Sequence, residues 1–584
     1  MLLFHNSRDR RSRYSHYLAE ILRCEGLIDF AEADIATLAD CDLRQEDLLI
    51  LPRMALSETE GTRLLTYLQA GGRLIAMLPD AHFVTRLGLK PQHRATDDGY
   101  LRIDGTHSLA AGLCPEAVQL IVPAVSWQGT GTTTATAVAH VYPTEDAPPT
   151  APGVVHLTVG AGEAILFAYD LPHTVARLRQ GNPAHVDLCY AGLDGIYRPS
   201  ELFVGQLPVT QMHLPQADIH TALLARMVEV LAPRPRLWYY PRAEQRSVMI
   251  MTSDDDWSTL EQFDTLLNGL AERNAHCTFY VVPKTKLNGD LMDQWASAGH
   301  TFSVHPALEA DTVRGLTVDE PQSRLVEPML AANIQRHQAE FQRTPRTVRQ
   351  HAVRWLGYVD AAQVEAKLGI HMDLNYIAVS PYLGHLCGSG RPLRFVDTDG
   401  TVIDCFQQPT HWTEECLIHP EFVFSFKWTV ERAVAETGAL IQRAAHEFYT
   451  PIALNSHPVS FATYSSPLIE GNWDTALDAG MIILSADDWL AWTEAREQVQ
   501  ISRDGTGYRV VAPVAIERLT FLLPPTPAIA PAPNRPIAID EPTHAITQQQ
   551  RWGRAYQAVT IHNLAPNQPY RLSGPVDEVL DEPN

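Results

Sequence analysis

The apolar positions of this chain change period several times along its length. "SHYLAEILRCEGL" is spaced as an amphipathic helix and "DLLILP" as a strand; "ETEGTRLLTYLQAGG" reads as a helix closed by glycine, and "RLIAML" as a second strand. Such alternation over residues 1–235 predicts an α/β domain built on a parallel sheet. Within it, "GAGEAILFAYDLPHTVARLRQGNP" predicts strand, loop and helix, with Asp170, His173 and Arg179 read as capping and surface residues. A proline- and aromatic-rich connector at 232–245, "APRPRLWYYPRAEQ", disfavours helix and marks a boundary. The next region, 245–496, opens on "SVMIMTSDDDWST" and closes on the helix of "ADDWLAWTEAREQ". Beyond it, 497–584 shows short alternating segments between glycine and proline turns, predicting a small all-β module interrupted by "PPTPAIAPAPNRP".

Composition narrows the setting. The 584 residues suffice for several cores, and 45% hydrophobic with 19% charged residues is ordinary for globular proteins. Forty-five basic against 68 acidic residues leave a net charge of -23, which argues against nucleic acid or an anionic membrane as partner and leaves small neutral substrates. The eight cysteines form no CxxC pair, so they read as reduced core residues rather than a zinc ribbon or disulfide framework. No stretch approaches the roughly 18 apolar residues of a membrane span, and "MLLFHNSRDRRSRY" reverses the order of a signal peptide; a cytoplasmic location is the expectation. An open sheet edge in the first domain would allow oligomer formation.

The three aspartates Asp254, Asp255 and Asp256 close an apolar run, and like charges so near raise one another's pKa unless a cation or a catalytic task compensates. Four further segments follow in order: "HPALE" from His305, "RQH" from Arg349, "DLNY" from Asp373 and "LNSH" ending at His457. Together with "TSDDD" from Thr252, these five segments resemble the motifs of the polysaccharide deacetylase (NodB-like) family, TFDDG, HxxxH, RxP, DxxW and LxxH, over about 250 residues. The resemblance implies a distorted (β/α) barrel and a metal-dependent hydrolase of carbon–nitrogen bonds that deacetylates an N-acetylated sugar or related small amide.

On that mapping Asp255, His305 and a third ligand, Glu309 or His351, hold a divalent metal. Zinc is the expected ion, since carboxylate and imidazole suit it and similar first-row ions. Asp254 takes the proton of the attacking water, and His457 protonates the leaving amine, a task suited to an imidazole. Arg349 orients Asp254, and Asp373 holds Arg349. Trp257, Trp355 and Tyr376 are candidates for a sugar-facing wall, whereas His411 and His419 read as structural.

The departures are specific. Ser253 replaces the motif's phenylalanine, Asp256 its glycine, Glu309 the second histidine and His351 the proline. They leave room for a catalytically degenerate binding or scaffolding protein. A glycosyltransferase is a further alternative, because Asp254 and Asp256 also make a DxD, but it leaves "LNSHP" unexplained. The strand order around "DLLILP" and "LQAGGRLIAM" resembles class I glutamine amidotransferase-like domains. Where those carry a cysteine nucleophile, this chain has Met77, Leu78, Pro79 and Asp80, so a non-catalytic domain is expected.

Overall fold

The structure is a computed structural model that describes residues 1–129, 134–189, 195–307, 327–504, 507–524 and 544–572. It is a mixed α/β molecule. In the first region, strands Ala31–Asp34, Leu2–His5, Leu49–Leu51, Arg73–Met77 and Gly162–Phe167 lie side by side and parallel. The helices between them present apolar stripes to both faces; helix Glu58–Gln69 starts on a reciprocal cap between Ser57 and Glu60.

The sheet is not parallel throughout, as the sequence pattern suggested. From Gly162–Phe167 it continues antiparallel through Ala151–Val159, Thr134–Tyr142, Tyr100–Ile103 and Val118–Gln119. The cause is local: Val159 pairs with Gly162 across a two-residue turn, and Gly160 adopts φ +63, a left-handed conformation natural to glycine. A connection that short can only join antiparallel strands.

The second region is a parallel sheet curled into a half-barrel. Its order runs Leu393–Val396, Val402–Gln407, Met372–Asp373, Thr347–Val348, Thr301–Val304, Thr278–Val281, Val248–Asp254, Ile452–Ser456 and Trp412–Thr413, with Ile482–Ser485 beside the first half of Val248–Asp254. Among the described residues only strand Leu393–Val396 runs antiparallel to its neighbour. Strand Val248–Asp254 is buried along its whole length, which accounts for its unbroken apolar pattern.

Among the described residues after 497, the strands belong to two small antiparallel sheets. The connector is not a free linker: Arg236–Leu237 pairs with Ile516–Leu523 as the edge of the larger sheet. Trp238, Tyr239 and Tyr240 are buried beside it among Tyr449 and Trp552. All eight cysteines are unpaired. Among the described residues no helix is long and apolar enough to cross a membrane.

Candidate active site

In parallel strands every carboxyl end lies at the same rim. Asp254 ends one strand and Asp373 another, while His305, Arg349 and His457 each follow directly on a strand of that sheet. Asp254 is nearly fully buried and held from two sides. Asn455 donates to its Oδ2 at 2.9 Å, and Arg349 Nε lies 3.4 Å from its Oδ1. His457 Nε2 stands 3.8 Å from Oδ2. Arg349 is itself fixed by donating to Thr252 and Thr410 hydroxyls at 3.1 and 3.0 Å.

The next two aspartates diverge. One oxygen of Asp255 accepts from the Ser258 amide at 3.2 Å, and the other is buried with no hydrogen-bond partner. Burial, reinforced by the charge of Asp256, raises its pKa to about 7 against a hydrogen bond from Thr285. Asp256 and Trp257 take φ +43 and +57, two consecutive left-handed residues, which cost side-chain-bearing positions about 1–2 kcal/mol each. The Trp257 indole N–H donates to the Pro283 carbonyl at 2.7 Å and pins that turn.

Asp256 faces both histidines, while Asp255 lies near enough for the His305 charge to act on its carboxyl. Asp256 Oδ1 is 3.3 Å from His305 Nε2, and its Oδ2 is 3.7 Å from His457 Nε2. Burial would raise its pKa, but the His305 hydrogen bond and the nearby imidazoles hold it well below the usual range.

The His305 tautomer is set by its Nδ1, which donates to the Arg349 carbonyl at 2.6 Å. In the neutral ring Nε2 therefore carries a lone pair aimed at a carboxylate oxygen. Two acceptors meet in this way only with a proton or a cation between them. Burial lowers the His305 pKa, and Asp254 and Asp256 more than reverse that. An imidazole tied at Nδ1 to a backbone carbonyl, with a carboxylate beside Nε2, fits a divalent ion. His351 is the next imidazole, its ring 5.6 Å from that of His305 and 5.4 Å from that of Trp257. Glu309 lies outside the described residues.

His457 rests on carboxylates that the motif comparison missed. Glu414 Oε1 accepts from both its Nδ1 at 2.9 Å and its backbone N–H at 2.8 Å, and Glu415 lies 3.9 Å away. Although burial lowers an imidazole pKa, Glu415, Glu414 and Asp256 drive this one well above its ordinary value. "TEEC" carries these residues, and two adjacent glutamates beginning a helix right after a short strand were the available signal.

Other expected residues sit elsewhere. Asp373 makes no direct ion pair with Arg349 among the described residues, although the Arg349 charge acts on its carboxyl; its oxygens take the N–H groups of Asn375, and Glu365 lies beside it. Burial raises both carboxyls, so the pair retains a proton. Trp355 and Tyr376 pack on each other and on Phe395 in the core, with no face open to a ligand, so they form no sugar wall. Trp257 remains partly exposed at the rim. His411 is buried, contacting His385 and accepting from the Ala453 amide, and His419 accepts from the amides of Glu421 and Phe422. Asp170 caps helix Leu171–Gln180, and Arg179 donates to backbone carbonyls of Arg391 and Gln407.

No family model and no curated protein match the chain. Among solved structures, that of Agd3, described as a novel carbohydrate deacetylase, aligns over 98% of both chains at 10% identity and TM-score 0.42. A Mycobacterium smegmatis protein assigned as a polysaccharide deacetylase aligns over 47% of this chain and 98% of its own, at 14% identity and TM-score 0.34. A β-galactosidase from Rahnella sp. R3 covers 26% of this chain and 24% of its own, at 20% identity and TM-score 0.22. Likeness at that level assigns no activity and leaves the reading to the site itself.

Proposed function

We propose that this chain is a metal-dependent hydrolase of carbon–nitrogen bonds that removes an acetyl group from an N-acetylated sugar or a related small amide. The observation that carries the reading is the convergence of a restrained carboxylate, Asp254, with two imidazoles whose Nδ1 atoms are both tied back and whose Nε2 atoms face one carboxylate. A bare solvated acidic turn has no need of such partners.

His305 and Asp256 would hold the ion, with His351 or Glu309 completing the set, and Asp255 shapes the loop that presents Asp256. When bound, a zinc-type ion polarises the amide carbonyl and lowers the pKa of water toward about 7. Asp254, aligned by Arg349 and Asn455, accepts the proton of the attacking water as the new C–O bond forms. His457, kept protonated by Glu414 and Glu415, delivers a proton to the nitrogen as the C–N bond breaks. Trp257 offers an aromatic face at the rim for a sugar ring.

In this reading residues 1–235 form a non-catalytic amidotransferase-like domain and 497–584 a β module. Support for the first comes from the end of strand Arg73–Met77. Leu78 sits there at φ +43, the sharp turn on which a nucleophile would be exposed, but carries leucine and is followed by Pro79. Purified protein should release no ammonia from glutamine.

Metal analysis combined with acetate release from N-acetylated sugars tests the main reading. Asp254→Asn should keep its metal and lose about 10²- to 10⁴-fold in turnover. Asp256→Ala should lose metal, and Asp255→Ala should lose less. Wild-type protein that binds no divalent ion and hydrolyses no acetylated sugar would replace this reading with that of a scaffold.

A further inference from the structure

At the opposite edge of the molecule's first sheet lies a second set of metal-type donors that the hydrolase reading does not use. We propose that His5, His16 and Glu32 form a separate binding site for a first-row divalent ion of the zinc type. One nitrogen of each imidazole and one oxygen of Glu32 lie within 4.8 Å of one another.

The fold brings them together for definite reasons. Strands Leu2–His5 and Ala31–Asp34 are parallel neighbours with Leu3 opposite Glu32 and His5 opposite Asp34. Alternation therefore sends Leu3, His5, Glu32 and Asp34 to one face. Helix Ser15–Cys24 covers that face, packing Tyr17, Leu18 and Ile21 around Leu3, and its first turn places His16 above the strand ends. The imidazole rings of His5 and His16 are 4.8 Å apart. His16 Nδ1 is 3.3 Å from Glu32 Oε2, while Arg23 donates to Glu32 Oε1 at 2.8 Å and fixes that carboxylate from behind.

Two further features point to a cation. His5 Nδ1 is buried without a hydrogen-bond partner, and Asp34 Oδ2, anchored by the Ser7 amide at 3.0 Å, stands 3.9 Å from His5 Nε2 as fixed negative charge. Two imidazoles and a carboxylate with a fourth position left for water make a zinc donor set. Tetrahedral donors at about 2.0–2.1 Å from the ion lie about 3.3–3.4 Å apart, so a pair at the 4.8 Å limit closes by about 1.4 Å, which rotation of the exposed His16 supplies. The benefit is structural: "AEAD" of the edge strand contributes no fully buried side chain, and an ion would clamp it to helix Ser15–Cys24.

The test uses the full-length protein and zinc alone. Equilibrium dialysis should show that wild type binds one more zinc than His16→Ala. Glu32→Gln should weaken that equivalent at least 10-fold, and zinc should raise the melting temperature of wild type by more than that of either variant. Both substitutions are at exposed positions, so far-ultraviolet circular dichroism should be unchanged and any hydrolase activity retained. A His305→Ala protein should keep the equivalent, separating it from the catalytic centre. The proposal is overturned if wild type, His16→Ala and Glu32→Gln bind the same number of zinc ions with the same affinity.

Discussion

At the scale of single residues, the orientation of His457 depends on Glu414, which contacts that acid but neither the water nor the amide of the proposed mechanism and acts by positioning. The doubly accepting Oε1 fixes the ring and favours its protonated form. A raised imidazole pKa means that the acid is present up to a pH above the ordinary histidine range and is lost beyond it. Glu414→Gln preserves shape but removes a charge. It should move the alkaline limb of the kcat/KM profile to lower pH and lower kcat, with KM little changed. An unshifted limb would mean that Glu414 merely fills space. The same scale explains what the motifs hid. Asp254, Arg349 and His457 follow apolar runs and could be picked out, but that Asp256 reaches both His305 and His457 goes with two left-handed residues, Asp256 and Trp257, a feature no spacing reveals.

Among elements, those built from local pattern were legible: the buried strand Val248–Asp254, the helix within "ETEGTRLLTYLQAGG" and helix Leu171–Gln180 behind Asp170. Elements fixed by distant partners were not. Arg236–Leu237 becomes a strand only because Ile516–Leu523, about 280 residues later, lies beside it, and Trp355 and Tyr376 turn inward because Phe395 receives them. The cap of helix Leu171–Gln180 allows a quantitative check. Burial raises the Asp170 pKa to about 6, with Arg53 opposing it at 4.0 Å. A carboxyl whose folded pKa lies above its unfolded value of 3.8 binds its proton more tightly in the native state. Stability therefore falls as pH rises from about 4 to about 6, by about 3 kcal/mol from this group. Asn caps as well as Asp and carries no charge. Asp170→Asn should flatten the difference in urea unfolding free energy between pH 4.5 and 7. A slope equal to that of wild type would show that the buried charge is compensated in another way.

Across the whole molecule, the first region, the connector and the half-barrel are joined by buried charge rather than by a flexible tether. Glu25, from the first region, takes Arg391 of the half-barrel at 2.7 Å and also Arg236 and Tyr239 of the connector. Arg236 continues to Glu229 at 3.2 Å, and Asp218 accepts from Ser389 and Thr450 at 2.6 and 2.7 Å. Burial alone would raise the Glu25 pKa, but Arg391 and Arg236 reverse this and lower it, so the network is complete above the ordinary carboxylate range and weakens as pH falls through the lowered value. Such a cluster gains little over a well-packed apolar one, but removing one member strands the others. Loss of a partner in a buried ion pair costs about 3–5 kcal/mol. Glu25→Ala would leave Arg391 and Arg236 without the carboxylate they share and would open the seam between first region and half-barrel while leaving each core intact. Wild type should therefore unfold in one calorimetric transition, and Glu25→Ala in two, with the earlier one at lower temperature. Double replacement of Glu25 and Arg391 by apolar residues should recover part of the loss, because the stranded guanidinium is then gone. A single unshifted transition in Glu25→Ala would mean that the aromatic packing of Trp238, Tyr239 and Trp552 holds the regions together without the charges.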